Sequence, residues 1–553
     1  MAFWETDQWL GLIGLVFGIM LIAWLERKPS TWHLGLATFF FLFSIIHLLI
    51  PQKSAALWMT LALTATIGIA SKVKYRYLSF NLLAGDLLYL VGSSIRGLLA
   101  DHTRLIVTTT SAMIAVLAMG CVIAIAIEES VNPFEVRVQL LGAATLIYFA
   151  VLWSSGGSAR FNFRVLTRDR AHLSAFVASW FKVGLSPRPV FIDIDQEALP
   201  LLAPTQEKRA QGEKEPSIIL ILHESTFDPR CLGLPLETRF ENFFAPQDGL
   251  SGRLHVDVFG GGTIQTEFSV LTGLSSLSFG SDSGFVFHRM PGRIHHSLPS
   301  FLNGIGYDVS LISCSGPKLL NCERFYRSLG LRNISFADAL QAPFDRARWE
   351  REHHDEQLYS HALDLLANRN DDKPFFLSVM TLMNHGSHGN RIFGAEHRAE
   401  LRQRAAASTG NTDFGEYIVR LADSVDAYEA FRRGLRERLD GKPAIIVRFG
   451  DHQPSFTAPL SGKAPSDPAL HKTFYAVEAV NCVLPLDVPS PPVLDVTYLS
   501  TLALLAAKVQ LDPVFATRAA LLRNDPAVYF DPTSVPKRRF HRALVEAGAV
   551  DLA

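Results

Sequence analysis

Five long apolar segments in the first 155 residues carry almost no charge, and they constrain the fold more than any other feature of the sequence. A helix of about 20 apolar residues crosses the hydrocarbon core of a bilayer. Several of the segments approach this length, and the two short ones reach it with flanking residues. One such segment is compatible with a buried helix of a soluble protein, but five in succession predict a membrane domain. They are Trp9–Leu25, His33–Ile50, Ala55–Ala70, Leu105–Ile127 and Leu140–Trp153.

The first segment has no polar leader and no small-residue cleavage site, so we interpret it as an anchor and not as a removable signal. A sixth segment, Leu82–Leu99, is apolar but contains Asp86 and Arg96. It is either an interfacial helix or a span whose charges face the bundle, which leaves five or six spans. Basic residues leave the orientation open too, because they mark two stretches on the cytoplasmic side, after the third span and after the last. These residues are Lys72, Lys74 and Arg76 in the first stretch, and Arg160, Arg164, Arg168 and Arg170 in the second.

The composition becomes that of a soluble protein from about Gly156. We therefore predict a transmembrane domain at 1–155, a juxtamembrane segment and linker at 156–216, and a soluble domain at 217–553. The net charge of −1 gives no reason to expect nucleic acid as a partner. The cysteines lack the spacing of a zinc site, and Cys314 and Cys322 are either a small disulfide loop or free buried thiols.

The soluble part alternates short apolar runs with helix-like stretches, such as Asp355–Asn368 and Gly415–Arg438. Near-continuous apolar strands that alternate with helices indicate an α/β fold with a mostly parallel sheet covered on both faces. Ligands of such sheets bind outside the carboxyl ends of the strands. The predicted strands Ser217–Ser225, Tyr307–Ser315, Phe375–His385 and Ala444–His452 place Glu224, His385, Asp451 and His452 at those ends.

Glu224, Asp451 and His452 together have the donor set of a divalent metal site. Taken alone, Glu224 is compatible with a helix cap, and Asp451 with His452 is compatible with a turn before Pro454. Carboxylate oxygens and one imidazole, however, suit Mn²⁺, Mg²⁺ or Zn²⁺. We therefore expect the three side chains to converge on one ion.

Three consecutive glycines, Gly260 to Gly262, precede Thr263 in the sequence FGGGTIQTEFSVLTG. A plain turn accommodates such a run, and so does a loop that lets a phosphate approach the backbone. Threonine becomes a nucleophile when a metal ion or a base removes its proton. A metal held by Glu224, Asp451 and His452 gives Thr263 that role.

The motifs HEST, GGGTIQTEFSVLTG, NHGSHG and FGDHQP follow the apolar segments in this order. Through them nearly the whole chain resembles the lipoteichoic acid synthase branch of the sulfatase/alkaline phosphatase superfamily. The resemblance implies an alkaline phosphatase-like α/β/α domain and one metal ion, Mn²⁺ before Zn²⁺. It implies that Glu224, Thr263, Asp451 and His452 bind the ion. It also implies that Thr263 becomes a phosphothreonine during catalysis and that His385 binds a phosphate oxygen or moves a proton.

The same resemblance implies a transferase in the bacterial inner membrane whose catalytic domain faces the periplasm. Its partners are the bilayer, a phospholipid donor of phosphoglycerol (phosphatidylglycerol) and an envelope glycan or lipid acceptor. Phosphoethanolamine transfer is the alternative, although phosphoethanolamine transferases typically have Ser-Asp-His-Gly where this chain has Gly450-Asp451-His452-Gln453. A sulfatase-like hydrolase or phosphodiesterase is disfavoured, since a sulfatase needs Cys or Ser in a C/S-x-P-x-R sequence at Thr263. A dead scaffold is disfavoured because every ligand position is filled.

The glycerol phosphate site departs from the Gram-positive synthases, which hold the group with an Asp and a Trp-x-Arg after the strand that matches Tyr307–Ser315. Here Ser315, Leu320 and Cys322 occupy those places. Arg324 or Lys318 is a displaced cation in this interpretation, or else a solvated surface charge. His388 and Asn384 are further, weaker candidates for substrate binding.

Overall fold

The computed structural model describes two units of the chain, Met1–Pro187 and Arg188–Ala553, which are treated separately here. Some residues named above lie outside the part of the chain that the structure describes. They are Arg96, Arg160 to Arg170, Ser315, Lys318 and most of the charged linker. The described residues are 2–26, 29–78, 81–90, 103–127, 131–154, 171–183, 191, 194–205, 214–314, 316–317, 319–336, 355–369, 373–527, 529, 531 and 534–552.

The N-terminal unit is helical. Among the described residues, four helices are long and apolar enough to cross a membrane, over 32–49, 53–75, 106–126 and 134–154. The first predicted span, Trp9–Leu25, lies in the N-terminal helix, whose apolar part Gly11–Leu25 is shorter. The predicted sixth segment begins as the short helix α4, and residues 91–102 are outside the described part. The helices are α1 (Ala2–Leu25), α2 (Pro29–Leu49), α3 (Lys53–Leu78), α4 (Ala84–Leu90), α5 (Thr103–Ala126), α6 (Phe134–Ser154) and α7 (His172–Val183).

Polar contacts join the helices of this unit at one end. Lys74 of α3 donates to Asp86 of α4 at 2.6 Å, which neutralises both charges. The Glu26 carboxylate follows α1 and accepts from the backbone N–H groups of Leu173 (3.0 Å) and Ser174 (2.9 Å). These two N–H groups lie in the first turn of α7 and have no acceptor within the helix, so Glu26 supplies one. Helices α5 and α6, in contrast, expose most of their apolar side chains, which suits contact with lipid.

The C-terminal unit is built on one eight-stranded sheet with the order β4-β3-β5-β1-β6-β7-β2-β8. Strand β7 runs antiparallel to its neighbours β6 and β2, and the remaining pairings are parallel. The sheet is therefore mostly parallel, as the sequence predicts. The strands are β1 (Ser217–His223), β2 (Gly249–His255), β3 (Asp308–Ser313), β4 (Asn333–Phe336), β5 (Phe375–Met380), β6 (Ala444–Gly450), β7 (Lys472–Val480) and β8 (Val493–Asp495).

Every residue of β1, β5 and β6 is buried. Successive side chains of a strand point to opposite faces, so both faces of the central sheet are covered. The covering helices of this unit are α8 (Glu241–Phe244), α9 (Thr263–Thr272), α10 (Val286–Arg289), α11 (Leu298–Gly304), α12 (Cys322–Ser328), α13 (Asp355–Ala367), α14 (Ala399–Thr409), α15 (Thr412–Leu439), α16 (Thr457–Ser461), α17 (Leu499–Ala506), α18 (Pro513–Asn524) and α19 (Val535–Glu546).

The segment predicted as juxtamembrane and linker, 156–216, is divided between the two units. Helix α7 belongs to the first unit. Residues 194–205 pack on the second, where the N–H of Leu199 donates to the Arg539 carbonyl and the N–H of Thr205 to the Leu511 carbonyl. The boundary between compact units thus lies at Pro187.

Candidate active site

The proposed metal ligands follow two neighbouring parallel strands. Strands β1 and β6 lie side by side, with His223 opposite Gly450 in the register. The next residues along the two strands are Glu224 and Asp451, so the carboxyl ends of β1 and β6 bring them to one edge of the sheet. Parallel pairing therefore brings together residues that are far apart in the sequence.

Donor atoms of Glu224, Asp451 and His452 lie within 4.8 Å of one another. The Nε2 atom of His452 is 3.3 Å from Glu224 Oε1 and 3.3 Å from Asp451 Oδ2. All three side chains are buried. These distances leave the three side chains able to coordinate a common ion.

The hydrogen bonds around the cluster leave its inward-facing atoms available. Asp451 Oδ1 accepts from the N–H groups of Ser225 (2.7 Å) and His452 (2.9 Å), whereas the buried Oδ2 accepts no hydrogen bond from the described residues and has only the 3.3 Å contact with His452 Nε2. His452 Nδ1 lies 3.1 Å from the Gln453 carbonyl, which favours a proton on Nδ1 and a lone pair on Nε2. A buried carboxylate oxygen without a partner is costly, so the residues present fit a divalent cation.

The pKa values of the cluster show strong coupling among its charges. Burial raises the pKa of Glu224, but the hydrogen bond and positive charge of His452 outweigh burial and lower that pKa to about 2. Burial and the negative charge of Glu224 raise the pKa of Asp451 to about 7. Burial lowers the pKa of His452, while the charges of Asp451 and Glu224 raise it, to a net value of about 9. The two carboxylates thus favour a second proton on His452, at Nε2, and a metal cation bound there would take the place of that proton.

Thr263 begins helix α9 beside this cluster, and its hydroxyl donates to Glu224 Oε2 at 2.8 Å. The glycines before it have φ values of 74° (Gly260), 150° (Gly261) and 99° (Gly262), a region that favours glycine. The backbone therefore takes a path that places the Thr263 side chain at the first turn of the helix. Thr266 Oγ1 donates to the Asp451 carbonyl at 2.7 Å and ties α9 to the end of β6.

The loop after β5 carries His385 and His388. His385 is exposed, and it follows Asn384, whose contact with Thr226, two residues after Glu224, brings the loop near the cluster. His388 is buried, and its Nε2 atom has no hydrogen-bond partner among the described residues. Asn384 donates through Nδ2 to Thr226 Oγ1 at 3.0 Å. The structure thus brings this loop to the cluster.

The candidates near β3 are less well supported. Arg324 is exposed on α12 and forms no hydrogen bond or ion pair with the described residues. Lys318 lies outside the described part of the chain. Cys314 and Cys322 are free buried thiols and not a disulfide. The structure therefore assigns Arg324 no contact that distinguishes it from a solvated charge.

Two features of the site were missed by sequence reasoning. Ser225 has a φ of 50°, and its hydroxyl donates to Glu224 Oε1 at 2.9 Å, so a strained residue orients a ligand. Arg420 is buried and contacts the loop that carries His385. The spacing of Glu416 and Arg420 is that of an ordinary surface ion pair on a helix, and nothing in the sequence marks it as buried.

Residues 216–474 match the sulfatase family model. No curated protein sequence matches the chain. The chain is similar to three solved structures, those of two transferases and one synthase. Phosphoglycerol transferase GacH of Streptococcus pyogenes, in complex with sn-glycerol-1-phosphate, is 18% identical over 60% of this chain and 85% of that one, with a TM-score of 0.46.

Lipoteichoic acid synthase LtaP of Listeria monocytogenes is 13% identical, and the match covers 54% of this chain and 72% of that one with a TM-score of 0.41. The integral membrane lipooligosaccharide phosphoethanolamine transferase EptA of Neisseria meningitidis is 14% identical. That match covers 83% of this chain and 88% of that one with a TM-score of 0.49.

Proposed function

We propose that the chain is a membrane-anchored, metal-dependent phosphotransferase of the sulfatase/alkaline phosphatase superfamily, since residues 216–474 match the sulfatase family model. The group transferred is a phospholipid head group, phosphoglycerol from phosphatidylglycerol, and the acceptor is a hydroxyl of an envelope glycan or lipid. The observation that carries the proposal is the 2.8 Å hydrogen bond of the Thr263 hydroxyl to Glu224, inside a cluster fit for a divalent ion.

Thr263 is the nucleophile of this reaction. Glu224, Asp451 and His452 would hold the ion together with the Thr263 hydroxyl, and the ion would lower the pKa of that hydroxyl and polarise the phosphoryl oxygen. Glu224 Oε2 accepts the hydroxyl hydrogen and is the first acceptor for that proton. The N-terminus of α9 directs backbone N–H groups toward the phosphate, which favours the anionic group.

The transfer proceeds in two displacements at phosphorus. In the first, Thr263 Oγ1 forms a bond to phosphorus, and the ester bond to the diacylglycerol oxygen breaks as that oxygen takes up a proton. In the second, the acceptor hydroxyl forms a bond to phosphorus and loses its proton, and the bond between Thr263 Oγ1 and phosphorus breaks as Oγ1 takes up a proton. In this proposal His385 binds a phosphate oxygen or carries one of these protons.

The identity of residue 263 favours transfer over sulfate ester hydrolysis. Threonine cannot be converted to the formylglycine on which sulfatases rely, and the sequence Thr263-Ile264-Gln265 lacks their proline. The buried ligand set is complete, which a scaffold without catalysis does not require. Mn²⁺ is favoured over Zn²⁺ because two of the three buried ligands are carboxylates and none is a thiolate.

Phosphoglycerol is favoured over phosphoethanolamine at the loop after β6. Phosphoethanolamine transferases typically have serine and glycine at the positions of Gly450 and Gln453. Here a Cβ on Gly450 would lie 1.8 Å from the Thr226 carbonyl oxygen, so a serine does not fit. Gln453 donates to the carbonyls of Ala469 (2.9 Å) and Lys472 (2.7 Å) and is built into the loop.

An outward-facing catalytic domain follows if the N-terminus is cytoplasmic and α1, α2, α3, α5 and α6 all cross the bilayer. The chain then leaves the bundle at the end where α1 and α3 stop. The basic residues after α3 oppose this orientation by charge counting. The family resemblance supports it, and the proposed location is the bacterial inner membrane, with the catalytic domain in the periplasm.

Intact mass of the full-length protein in detergent tests the proposal. Incubation with phosphatidylglycerol and Mn²⁺ is expected to add about 154 Da, whereas phosphatidylethanolamine would add about 123 Da if phosphoethanolamine is the group. The adduct should map to Thr263. Thr263→Ala should give no adduct and Thr263→Ser a weakened one.

Metal content and thermal unfolding of Thr263→Ala serve as the control, because the variant retains the three buried ligands. An adduct on Thr263→Ala places the nucleophile elsewhere. Release of labelled head group to water at the same rate with and without acceptor would make the protein a hydrolase, contrary to the proposal.

A further inference from the structure

The loop from Thr381 to Arg398 follows β5 and consists of turns and bends. It carries His385 and His388, and it has no strand or helix of its own to fix these side chains. Loops that carry functional side chains depend on contacts with the rigid scaffold. The question is therefore which residues outside the loop determine its path.

Arg420 of α15 makes the largest set of such contacts. Its Nη1 donates to the His385 carbonyl at 2.6 Å, and its Nη2 donates to the carbonyls of Asn390 at 2.7 Å and Ser387 at 3.3 Å. The Arg420 side chain is only 1% exposed. A guanidinium is a rigid fork of five donors, so three carbonyl acceptors on one group fix the positions of those peptides relative to one another.

Glu416 lies one turn before Arg420 and supplies the opposite charge. Its Oε1 accepts from Arg420 Nε at 3.2 Å and from the N–H of Ile392 at 3.4 Å. Its Oε2 accepts from Arg402 Nε at 3.1 Å, and Arg402 also donates to the Ala395 carbonyl at 3.0 Å. The second half of the loop is therefore tied to the same charged group.

Ser424 lies one turn after Arg420 and reaches the start of the loop through Asp355. The Ser424 hydroxyl donates to Asp355 Oδ2 at 2.9 Å, and Asp355 Oδ1 accepts from the N–H groups of Leu382 (2.9 Å) and Met383 (3.0 Å). Residues 416, 420 and 424 are spaced by four and share one face of α15. One face of α15 thus contacts the loop directly from His385 to Ile392, and it reaches the beginning of the loop through Asp355 and the second half through Arg402.

We propose that Arg420 is a positioning residue: it sets the path of the loop from Thr381 to Arg398 and thereby holds His385 toward the Glu224 cluster. The part of this inference that concerns turnover rests on the proposed function. The fold of α15 does not depend on Arg420, because the helix is anchored by buried apolar residues that include Tyr417, Leu421 and Val425. Without the Arg420 guanidinium, the three loop carbonyls that accept from it lose their hydrogen-bond donor.

The test compares Arg420→Lys with Arg433→Lys in the full-length protein in detergent. Both variants keep the charge, and Arg433 is exposed on the same helix. For Arg420→Lys we expect hydrogen exchange to accelerate at least tenfold in peptides from the loop, but not in peptides from α15, with Mn²⁺ content unchanged. We expect kcat for head-group transfer to fall at least tenfold with a smaller change in KM. Arg433→Lys should match the wild type in every measurement.

Guanidinium added to Arg420→Ala should restore part of the lost rate and slow loop exchange again, a response that a general loss of stability would not give. Unchanged loop exchange in Arg420→Lys overturns the inference, and so does accelerated exchange with unchanged kcat. A wild type that transfers no head group would refute the proposed function instead, while loop exchange and its rescue by guanidinium still decide whether Arg420 holds the loop.

Discussion

Replacement of Gly450 by alanine directly tests the geometry of the proposed metal site formed by Glu224, Asp451 and His452. Gly450 ends β6 immediately before Asp451, and an added Cβ would lie 1.8 Å from the carbonyl oxygen of Thr226, two residues after Glu224. Its φ is not positive, so the alanine backbone is not strained and the effect is purely steric. The added Cβ would clash with a backbone oxygen, which cannot rotate away as a side-chain atom can.

The size of the effect follows from the gap that the methyl group must open. Real Cβ atoms essentially never approach another atom closer than 3.0 Å, so the ends of β1 and β6 must separate by about 1.2 Å. Metal–ligand distances tolerate only about 0.2 Å. Glu224 and Asp451 flank the contact and can no longer share an ion at normal distances. We expect the Mn²⁺ affinity to fall at least about 100-fold, or about 3 kcal/mol.

Electron paramagnetic resonance of free Mn²⁺ during titration of the chelator-stripped protein measures this loss. The matched control is Gly304→Ala, since a Cβ at Gly304 meets nothing within 4 Å. Both variants should unfold cooperatively without metal, which shows that the fold survives. A Mn²⁺ Kd for Gly450→Ala within threefold of the control would refute the assignment of Glu224 and Asp451 as ligands of one ion.

Two further predictions concern charges away from the site. Burial, together with the charge of Asp257, raises the pKa of Asp495 to about 7, so between pH 4 and pH 7 the native state holds a proton that the unfolded state does not. The free energy of unfolding should therefore fall by up to about 4 kcal/mol as pH rises through that window, and Asp495→Asn should flatten this dependence in thermal unfolding. In the membrane unit, Asp86→Asn should lower the melting temperature in detergent, because a lost partner of a buried pair costs about 3–5 kcal/mol. The double variant Lys74→Met/Asp86→Leu should recover most of the lost melting temperature. A double variant as unstable as Asp86→Asn would show that the unpaired Lys74 charge is not the cause of the loss.

The strands that build the site were predictable because they are buried on both faces. Ser217–His223 is a continuous apolar run and Ala444–Gly450 is one that only Arg448 interrupts, and their polar ends mark the carboxyl edge of a parallel sheet. The predicted fold class is confirmed. Strand β7 was not predicted, and its Glu478 is buried because it pairs with Arg448 of β6 at 2.6 Å, a contact between strands that the sequence does not show.

The contacts around the loop after β5 could not be predicted from sequence. The position of His385 depends on Arg420, and an arginine four residues after a glutamate has the same spacing whether it is buried or exposed. Arg324 stays a prediction: its place after β3 suggests substrate binding, and its side chain is exposed and has no partner among the described residues. Burial of charge is decided by tertiary packing, which short-range patterns do not record.

The adjacency of β1 and β6 at the centre of the sheet has a consequence for how the protein matures. Glu224 and Thr263 leave the ribosome well before Asp451 and His452 do. A chain that stops before β6 therefore contains Thr263 and Glu224 but lacks the other two proposed metal ligands. If these residues bind one divalent ion, only molecules in which β6 has paired with β1 can take it up.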